Sequence, residues 1–164
     1  MTPTATPGQA GHEAETMLAG GAFEYITLTI ADQLFGLPIG EVYEVFPVQR
    51  ITRVPLAARP IKGLVNLRGR VVTAICLRAV LNLPDGNECA ERMAIGVEIG
   101  GEPFALLVDR IGDVVRLPPA TREPNPIHLN ADWQNLSKGV HRLETSLMVI
   151  LDPDCIIGSE TLAA

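Results

Sequence analysis

Cysteine is scarce in this chain, with only Cys76, Cys89 and Cys155 among 164 residues. Their number is odd, their spacing is wide and no CxxC pair occurs, which argues against a disulfide framework. A chain of this kind suits a reducing compartment, so we expect it to work in the cytoplasm.

Aromatic side chains and long apolar runs are also few. Seven aromatic residues and an isoelectric point near 5.0 suit nucleic acid poorly, because single strands bind on aromatic stacking platforms in basic grooves. Only Tyr43, Phe46 and Trp133 are candidates for exposed aromatic rings. Apolar runs reach about ten residues, whereas a membrane-spanning helix needs about 20, so we expect no membrane insertion. A small nucleic-acid-binding barrel stays open as an alternative, which an electrophoretic shift at low salt would reveal.

The two ends of the chain are predicted to be tails. Residues 1–22 are rich in Thr, Ala, Gly and Pro and lack the basic start and apolar core of a signal peptide. Residues 159–164 are assigned to a second, shorter tail. With 47% hydrophobic residues, the chain between them can bury a sizeable core, and we assign 23–158 to one folded region.

Acidic residues are missing from one long window. Between Val45 and Pro84 no Asp or Glu occurs. The seven basic residues of the window are Arg50, Arg53, Arg59, Lys62, Arg68, Arg70 and Arg78. Because the whole chain carries −6, the residues outside the window sum to −13. This asymmetry predicts a positively charged face, which would steer negatively charged partners.

The same window contains the best-defined local structure. Two apolar runs, within the block at residues 63–67 and at residues 71–77, meet at Arg68-Gly69-Arg70, which predicts a β-hairpin. One or two helical turns should follow and stop at Pro84. Upstream, the alternation of residues 23–30 predicts a strand that turns at residues 31–33 into a second one. Residues 41–46 could be helical or extended.

An internal repeat relates the two halves of the chain. Residues 26–46 align with 95–115 at an offset of 69, and residues 62–75 align with 138–151 at an offset of 76. The seven extra residues fall in the proline-rich stretch 116–137, which we expect to be a loop. Such self-similarity indicates a duplicated unit, with a break near 84–91. Each half is expected to fold into four or five strands of a small barrel or sandwich and to pack on the other.

Signatures of catalysis are absent. His128 and His141 do not have metal-ligand spacing to Cys or Asp, and no GxSxG, P-loop or GxGxxG motif occurs. Asp109 and Asp113 are four residues apart and could resemble a catalytic carboxylate pair. The repeat instead places Asp109 at a strand end and makes Asp113 the equivalent of Glu44. We therefore expect neither an enzyme nor a cofactor.

The window also carries a family resemblance. ITRVPLAARPIKGLVNLRGRVVTAICLRAVLNL resembles the signature of the CheW coupling proteins of bacterial chemotaxis, centred on the NLRG block. FGLPI with VYEV upstream and LVDRIGDV downstream match further family motifs, so the resemblance covers Phe23 to Ile157. The family usually has Pro at the position of Thr73 and Asp at the position of Cys76, which bears on subfamily and partner identity.

The resemblance implies a fold and a function. The fold would be mainly β, with two pseudo-symmetric SH3-like five-stranded barrels on a shared hydrophobic core and one or two short helices. The protein would be a stand-alone, non-enzymatic adaptor that links the cytoplasmic helical tip of chemoreceptors to the regulatory domain of a CheA-type histidine kinase. A scaffold in pilus motility or a second-messenger pathway is the alternative.

The resemblance also implies candidate site residues. Receptor contact is expected at Val42, Glu44, Lys62, Gly63, Arg68 and Val71. Glu44 and Arg68 are charges within apolar segments, and we expect them to form an ion pair near the surface between the two halves, because an unpaired buried charge is costly. Gly63 and Gly69 could instead be turn glycines. The kinase would bind at the barrel ends, at residues that the sequence does not identify.

Overall fold

A computed structural model describes residues 21–57, 60–83 and 93–158. Most of the predicted N-terminal tail, the predicted break near 84–91 and the C-terminal tail lie outside these ranges, as do Arg59, Pro84 and Cys89. The described residues form a mainly β fold, as predicted. Among them, no helix has the length and apolarity that a membrane crossing requires.

The described part of the chain contains short strands joined by tight turns. The strands are β1 (Phe23–Ile30), β2 (Gln33–Pro38), β3 (Val42–Pro47), β4 (Ile61–Leu67), β5 (Arg70–Cys76), β6 (Met93–Ile99), β7 (Glu102–Val108), β8 (Arg110–Leu117), β9 (Arg122–Glu123), β10 (Ser137–Arg142) and β11 (Leu147–Leu151). The helices are α1 (Leu77–Val80), α2 (Ala131–Gln134) and α3 (Pro153–Ile157), with 3-10 turns at Ile39–Glu41 and Pro119–Thr121.

Most local predictions are confirmed. The hairpin of β4 and β5 turns at residues 68–69, and β1 and β2 lie where the alternation and the turn predict them. The open segment 41–46 is extended as β3. The helix after β5 ends at Val80, before the predicted stop. The prediction that residues 116–137 form a loop is only partly right, because β8 runs on to Leu117 and a 3-10 turn, β9 and α2 follow. Proline is compatible with the first turn of a helix and with edge strands, so a proline-rich stretch can contain such short elements.

The strands form two sheets that exchange strands between the sequence halves. The six-stranded sheet has the order β8-β1-β2-β11-β10-β9, and the five-stranded sheet has the order β3-β6-β7-β5-β4. We call these sheets the first and the second barrel. The expectation that each half folds by itself is therefore wrong: β1 and β2 join strands of the second half, and β6 and β7 join strands of the first. Parallel pairs of β2 with β11 and of β5 with β7 make both junctions.

Three hydrophobic clusters form the core of the described residues, and the largest joins the two barrels. The largest contains Leu28, Phe35, Ile95 and Leu106, all fully buried and drawn from both halves, and it is the shared core that the family resemblance predicted. A smaller cluster fills the second barrel and another fills the first. Burial of apolar surface between the barrels is the main stabilising term, so neither barrel is an independent unit.

The duplication extends to irregular backbone. Gly63 in β4 and Gly139 in β10 are related by the offset of 76, and both have positive φ, +150° and +140°. The register of each hairpin shifts immediately before its glycine. A β-bulge therefore recurs at the same point of both units, and bulges are deliberate local features.

Candidate functional site

The turn between β4 and β5 holds a charged residue in an uncommon backbone conformation. Arg68 and Gly69 have φ of +51° and +82°, as in the two-residue type I′ turns that match the twist of a hairpin. Asn66 Oδ1 accepts a hydrogen bond from the Gly69 N–H at 2.9 Å and closes the turn. A positive φ is costly for a residue other than glycine, so the hairpin fixes the place from which the Arg68 side chain extends.

Arg68 forms an ion pair with Glu44 of β3. Arg68 Nη2 lies 2.6 Å from Glu44 Oε1, and the two side chains are 80% and 17% exposed. The expectation placed this pair between the sequence halves, but both residues belong to the first half and to the second barrel. Since β3 and β4 stand at opposite ends of the sheet order, the pair bridges the seam where the curled sheet closes on itself.

An open groove runs along this seam. Its volume is about 380 Å³, and Glu44, residues 46–50 and residues 65–68 line it. We call it the seam groove. Phe46 and Val48 form one apolar wall and pack against the core of the second barrel. Val65 and Leu67, which are 4% and 7% exposed, form the other. Charged and amide side chains make up the other half of the lining, so the groove is mixed in polarity.

The cores of the two barrels differ in the size of their side chains. The second barrel is filled by Val65, Val72, Ala74 and Ala94 among others. The repeat-equivalent positions of the first barrel hold His141, Met148, Ile150 and Tyr25, all buried. In the first barrel His141 Nε2 lies 2.9 Å from the Tyr25 hydroxyl, and its Nδ1 lies 2.8 Å from the Thr121 hydroxyl. Larger, hydrogen-bonded side chains therefore fill the first barrel.

The first barrel differs in charge at the equivalent of the ion pair. The repeat places Asp113 at the position of Glu44 and Glu144 at the position of Arg68. Both are exposed, and two acids repel rather than pair. The pseudo-symmetry of the backbone is thus not a symmetry of surface charge at these two positions.

The remaining predicted receptor residues spread along β3, β4 and β5. Val71 is 65% exposed and lies opposite Asn66, next to the turn. Val42 begins β3 and packs against the shared core. Lys62 and Gly63 lie near the start of β4, about 20 Å from the turn at roughly 3.3 Å per residue. The six residues therefore form an elongated strip, with Glu44, Arg68 and Val71 at one end.

Gly63 has a structural requirement of its own. It is not a turn residue, since it lies within β4 at φ +150°. A Cβ atom there would overlap the carbonyl oxygen of Thr52. The absence of a side chain lets Thr52 and Leu64 exchange two backbone hydrogen bonds of 2.8 Å, and this bridge attaches the irregular arm to β4.

The basic window resolves into exposed and paired residues. Arg50, Arg53, Arg68 and Arg70 are exposed on the second barrel. Arg78 instead points inward and binds Asp109 through two hydrogen bonds. The predicted positive face therefore includes these four exposed arginines and excludes Arg78.

An exposed aromatic ring lies beside this face. Tyr43 is 45% exposed, and its ring packs over Gly96 of β6, where a Cβ would come within 3.0 Å of it. Burial raises the pKa of Tyr43, and the nearby carboxylates of Glu44 and Glu98 add to the rise while Arg70 opposes it. Phe46 and Trp133, the other aromatics expected at the surface, are only partly exposed.

The two departures from the family pattern lie in β5. Thr73 pairs with Leu64 on one side and Phe104 on the other. Cys76 is the N-cap of α1 and makes no capping hydrogen bond through its side chain. Its repeat equivalent, Asp152, caps α3 by accepting from the Asp154 N–H at 3.0 Å. Because Cys76 stands where the family usually has an acid, α1 lacks the side-chain cap that Asp152 gives to α3.

A metal centre is not evident in the described ranges, where no group of three or more His, Cys, Asp or Glu side chains could hold an ion.

The seam groove itself is not predicted from the sequence. The alternation of Glu44 and Phe46 in β3, continued by Val48 just after it, is a weak signal, since residues 41–46 could also be helical by sequence. The sequence distinguishes Arg50 only as one member of the basic window.

Comparison with known proteins gives consistent matches. A family model for the CheW-like domain matches residues 24–161. The chemotaxis protein CheW of Klebsiella aerogenes is 25% identical over 156 residues, covering 94% of this chain and 94% of the relative. That of Rhizobium meliloti is 24% identical over 143 residues, covering 87% and 92%. The crystal structure of the scaffolding protein TtCheW from Thermoanaerobacter tengcongensis has a TM-score of 0.76 at 25% identity, covering 84% of this chain and 94% of that one.

Proposed function

The chain belongs to the CheW family, and from that premise we propose that this chemotaxis adaptor couples chemoreceptors to a CheA-type histidine kinase. In this proposal it is not an enzyme and uses no cofactor. It works in the cytoplasm, beside membrane-anchored receptor arrays, and transmits a change in receptor conformation by holding receptor and kinase in one assembly.

One structural observation supports this proposal most directly. The Glu44–Arg68 ion pair, 2.6 Å long, stands at an exposed turn beside an open groove lined by both apolar and polar side chains. Arg68 is too exposed for the pair to add much stability, since surface pairs contribute about 0–1 kcal/mol. Its backbone conformation is also unfavourable. A charged residue kept at such a position is better explained by recognition than by folding.

Receptor contact is assigned to the strip of Val42, Glu44, Lys62, Gly63, Arg68 and Val71. The family resemblance implies a helical receptor tip, and a helix docks by laying an apolar face on a groove. Val71 supplies exposed apolar surface there. The ion pair and Lys62 would orient the helix, because charges at a rim fix register more than affinity.

Kinase contact is assigned to the barrel ends. The regulatory domain of the kinase is itself CheW-like in the family, and two modules with pseudo-symmetric barrels can join head to tail. The opposite surface charge of the two barrels, basic at Arg68 and acidic at Glu144, favours such an arrangement over a symmetric one.

Autophosphorylation of the organism's CheA-type kinase would test the function. The kinase is mixed with receptor signalling fragments, with and without this protein. We expect receptor-dependent activation only when the protein is present, and its loss with Arg68→Ala. Arg68→Asn is the matched control for folding, because asparagine tolerates positive φ and Asn-Gly is favoured in this turn. Activation that is equal without the protein would refute coupling.

A further inference from the structure

The seam groove lies between two strand edges that are not paired with each other in the described residues. β3 pairs with β6 on its other side, and β4 pairs with β5. On the outer edge of β4 the described part of the chain has one backbone pairing, the bridge between Leu64 and Thr52. Asn66 lies two residues beyond Leu64, so the alternation of a strand directs its backbone N–H and C=O to the same edge. The groove therefore presents a backbone edge to which an extended segment can add.

The mixed lining of the groove also suits an extended segment. Phe46 and Leu67 supply apolar contact, and Gln49 and Asn66 supply amide groups. An extended peptide carries free backbone N–H and C=O groups beside its side chains, so it can satisfy both kinds of lining. A helix bonds its own backbone groups internally and cannot use the strand edge. Residues 65–68 span about 13 Å, which is the length of about four residues of an extended chain.

The charge of the groove favours an acidic segment. Arg68 is paired with Glu44. Arg50 also lines the groove, is exposed, and has no ion-pair partner among the described residues. Arg70 is exposed on the same barrel, and residues 45–83 contain no acid. A carboxylate that approached Arg50 would therefore gain an ion pair without breaking one.

The chain itself carries an acidic segment ahead of β1. Residues 1–20 contain Glu13 and Glu15 and no Lys or Arg. Glu13 lies ten residues before Phe23, where β1 begins, and ten extended residues span about 33 Å. A domain of this length has a radius of gyration of about 14 Å, so the segment is long enough to reach the second barrel.

We propose that the seam groove binds this N-terminal segment as an added strand, with the carboxylate of Glu13 or Glu15 on Arg50. The backbone of the segment pairs with the edge of β4 at Asn66. Exposed ion pairs contribute only about 0–1 kcal/mol each, so the same segment binds weakly as a free peptide. Attachment through a short stretch of chain gives it an effective concentration on the order of mM, which keeps a weak ligand in the groove.

The bound segment limits access to the receptor strip. Glu44 and Arg68 line the groove and are also members of the strip assigned to the receptor. A receptor tip must displace the segment before it reaches them, so its apparent affinity falls with the fraction of molecules in which the groove is covered. This consequence rests on the proposed function, whereas the binding of the segment in the groove does not.

Disulfide trapping in the full chain would test the contact directly. Ala14→Cys places one thiol between the two acidic residues of the segment, and Gln49→Cys places another in the groove. A Cys89→Ser, Cys155→Ser background leaves Cys76 as the other thiol, and Cys76 is buried. We expect a disulfide within one molecule that forms readily at low salt and more slowly at high salt, because salt screens the ion pairs.

A thiol on the first barrel is the matched control. Thr145→Cys replaces Gln49→Cys, because Thr145 is uncharged and exposed in the β10–β11 turn. The groove disulfide should form about tenfold faster than this one, and Glu13→Lys with Glu15→Lys should abolish the difference. Equal rates at the two sites, or a rate that the two lysines do not change, would overturn the proposal. A disulfide between two molecules would also overturn it and assign the groove to a second copy.

Receptor binding measures the consequence separately. Glu13→Lys with Glu15→Lys should bind the organism's receptor signalling fragment about threefold or more tightly than the unchanged chain at low salt. Glu98→Lys with Glu102→Lys is the control for net charge, because both residues are exposed on the second barrel and neither lines the groove. Equal affinity of the first pair and the unchanged chain would refute the competition. Failure of every variant to bind the fragment would refute the proposed function and leave the disulfide result to decide the contact.

Discussion

The guanidinium of Arg78 donates two parallel hydrogen bonds to the carboxylate of Asp109, from Nε to Oδ1 at 2.9 Å and from Nη2 to Oδ2 at 2.5 Å. Asp109 Oδ2 also accepts from the Ala31 N–H at 3.0 Å. Arg78 lies in α1 of the first half, Asp109 follows β7 of the second, and Ala31 is in the β1–β2 turn. One carboxylate therefore ties three elements from both barrels, and bidentate pairs of this kind are among the stronger ones.

This contact predicts a dependence of stability on pH. Burial by itself raises the pKa of Asp109, but the hydrogen bonds from Arg78 and Ala31 outweigh it, so the pKa lies below its ordinary value of 3.8. The stabilisation is therefore complete above that value and is lost as pH falls through the lower pKa of the folded state. Asp109→Asn should cost about 1–3 kcal/mol at pH 7, and less as pH falls below 4.

Chemical denaturation of both proteins at pH 7 and at a series of lower pH values would measure this difference. Asp113→Asn is the control, because Asp113 is exposed on β8 and only its backbone carbonyl accepts a hydrogen bond, from Thr27. A cost for Asp109→Asn that stays the same from pH 7 to pH 3 would show that the carboxylate charge does not contribute.

The seam ion pair should show a small coupling energy. Glu44→Ala, Arg68→Ala and the double variant form a cycle whose interaction term we expect to be about 0.2–1 kcal/mol, because Arg68 is 80% exposed. The term should fall in high salt. Denaturant titrations of the four proteins would measure it, and strictly additive costs would mean that the pair makes no energetic contribution in solution.

The local structure of this chain follows closely from its sequence. Alternation predicts β1, the Arg-Gly dipeptide predicts the hairpin turn, and the offsets of 69 and 76 relate the two units, down to Gly63 and Gly139. These features are short-range, so residue pattern and turn chemistry determine them.

The exchange of strands does not follow from the sequence in the same way. Because the two copies are similar, a strand such as β2 has two chemically equivalent partners, β5 of its own half and β11 of the other. The repeat cannot distinguish them. The choice of β11 is a long-range property of the assembled core. The seam groove is equally hidden, since the two segments that line it, residues 44–50 and 65–68, are separate in the sequence.

Two glycines of the same hairpin should respond differently to alanine. Gly63→Ala would combine positive φ with overlap against the Thr52 carbonyl, so we expect a loss of about 2–4 kcal/mol. Gly69→Ala has only the backbone term, about 1–2 kcal/mol, because nothing lies within 4 Å of its Cβ position. Thermal or chemical unfolding would rank them. Equal losses in the free energy of unfolding would show that the backbone bridge between Thr52 and β4 can shift without an energetic penalty.

Cys155 should react slowly although it is exposed. Partial burial of the thiol raises its pKa to about 11, and the neighbouring carboxylate of Asp152, which accepts a hydrogen bond from Cys155 Sγ at 3.4 Å, adds to the rise. Only the thiolate is alkylated, so at pH 8 Cys155 should react with iodoacetamide about 100-fold more slowly than a thiol of ordinary pKa, if each pH unit changes the thiolate fraction about tenfold.

Alkylation rates measured by mass spectrometry in a Cys76→Ser, Cys89→Ser background would isolate this residue. Asp152→Asn should accelerate the reaction, because it removes the negative charge while asparagine keeps the N-cap of α3. Thiolate formation is disfavoured by the fold, so the rate should also rise when the protein is unfolded in denaturant. A native rate equal to that of the unfolded chain would show that neither burial nor Asp152 suppresses the thiolate.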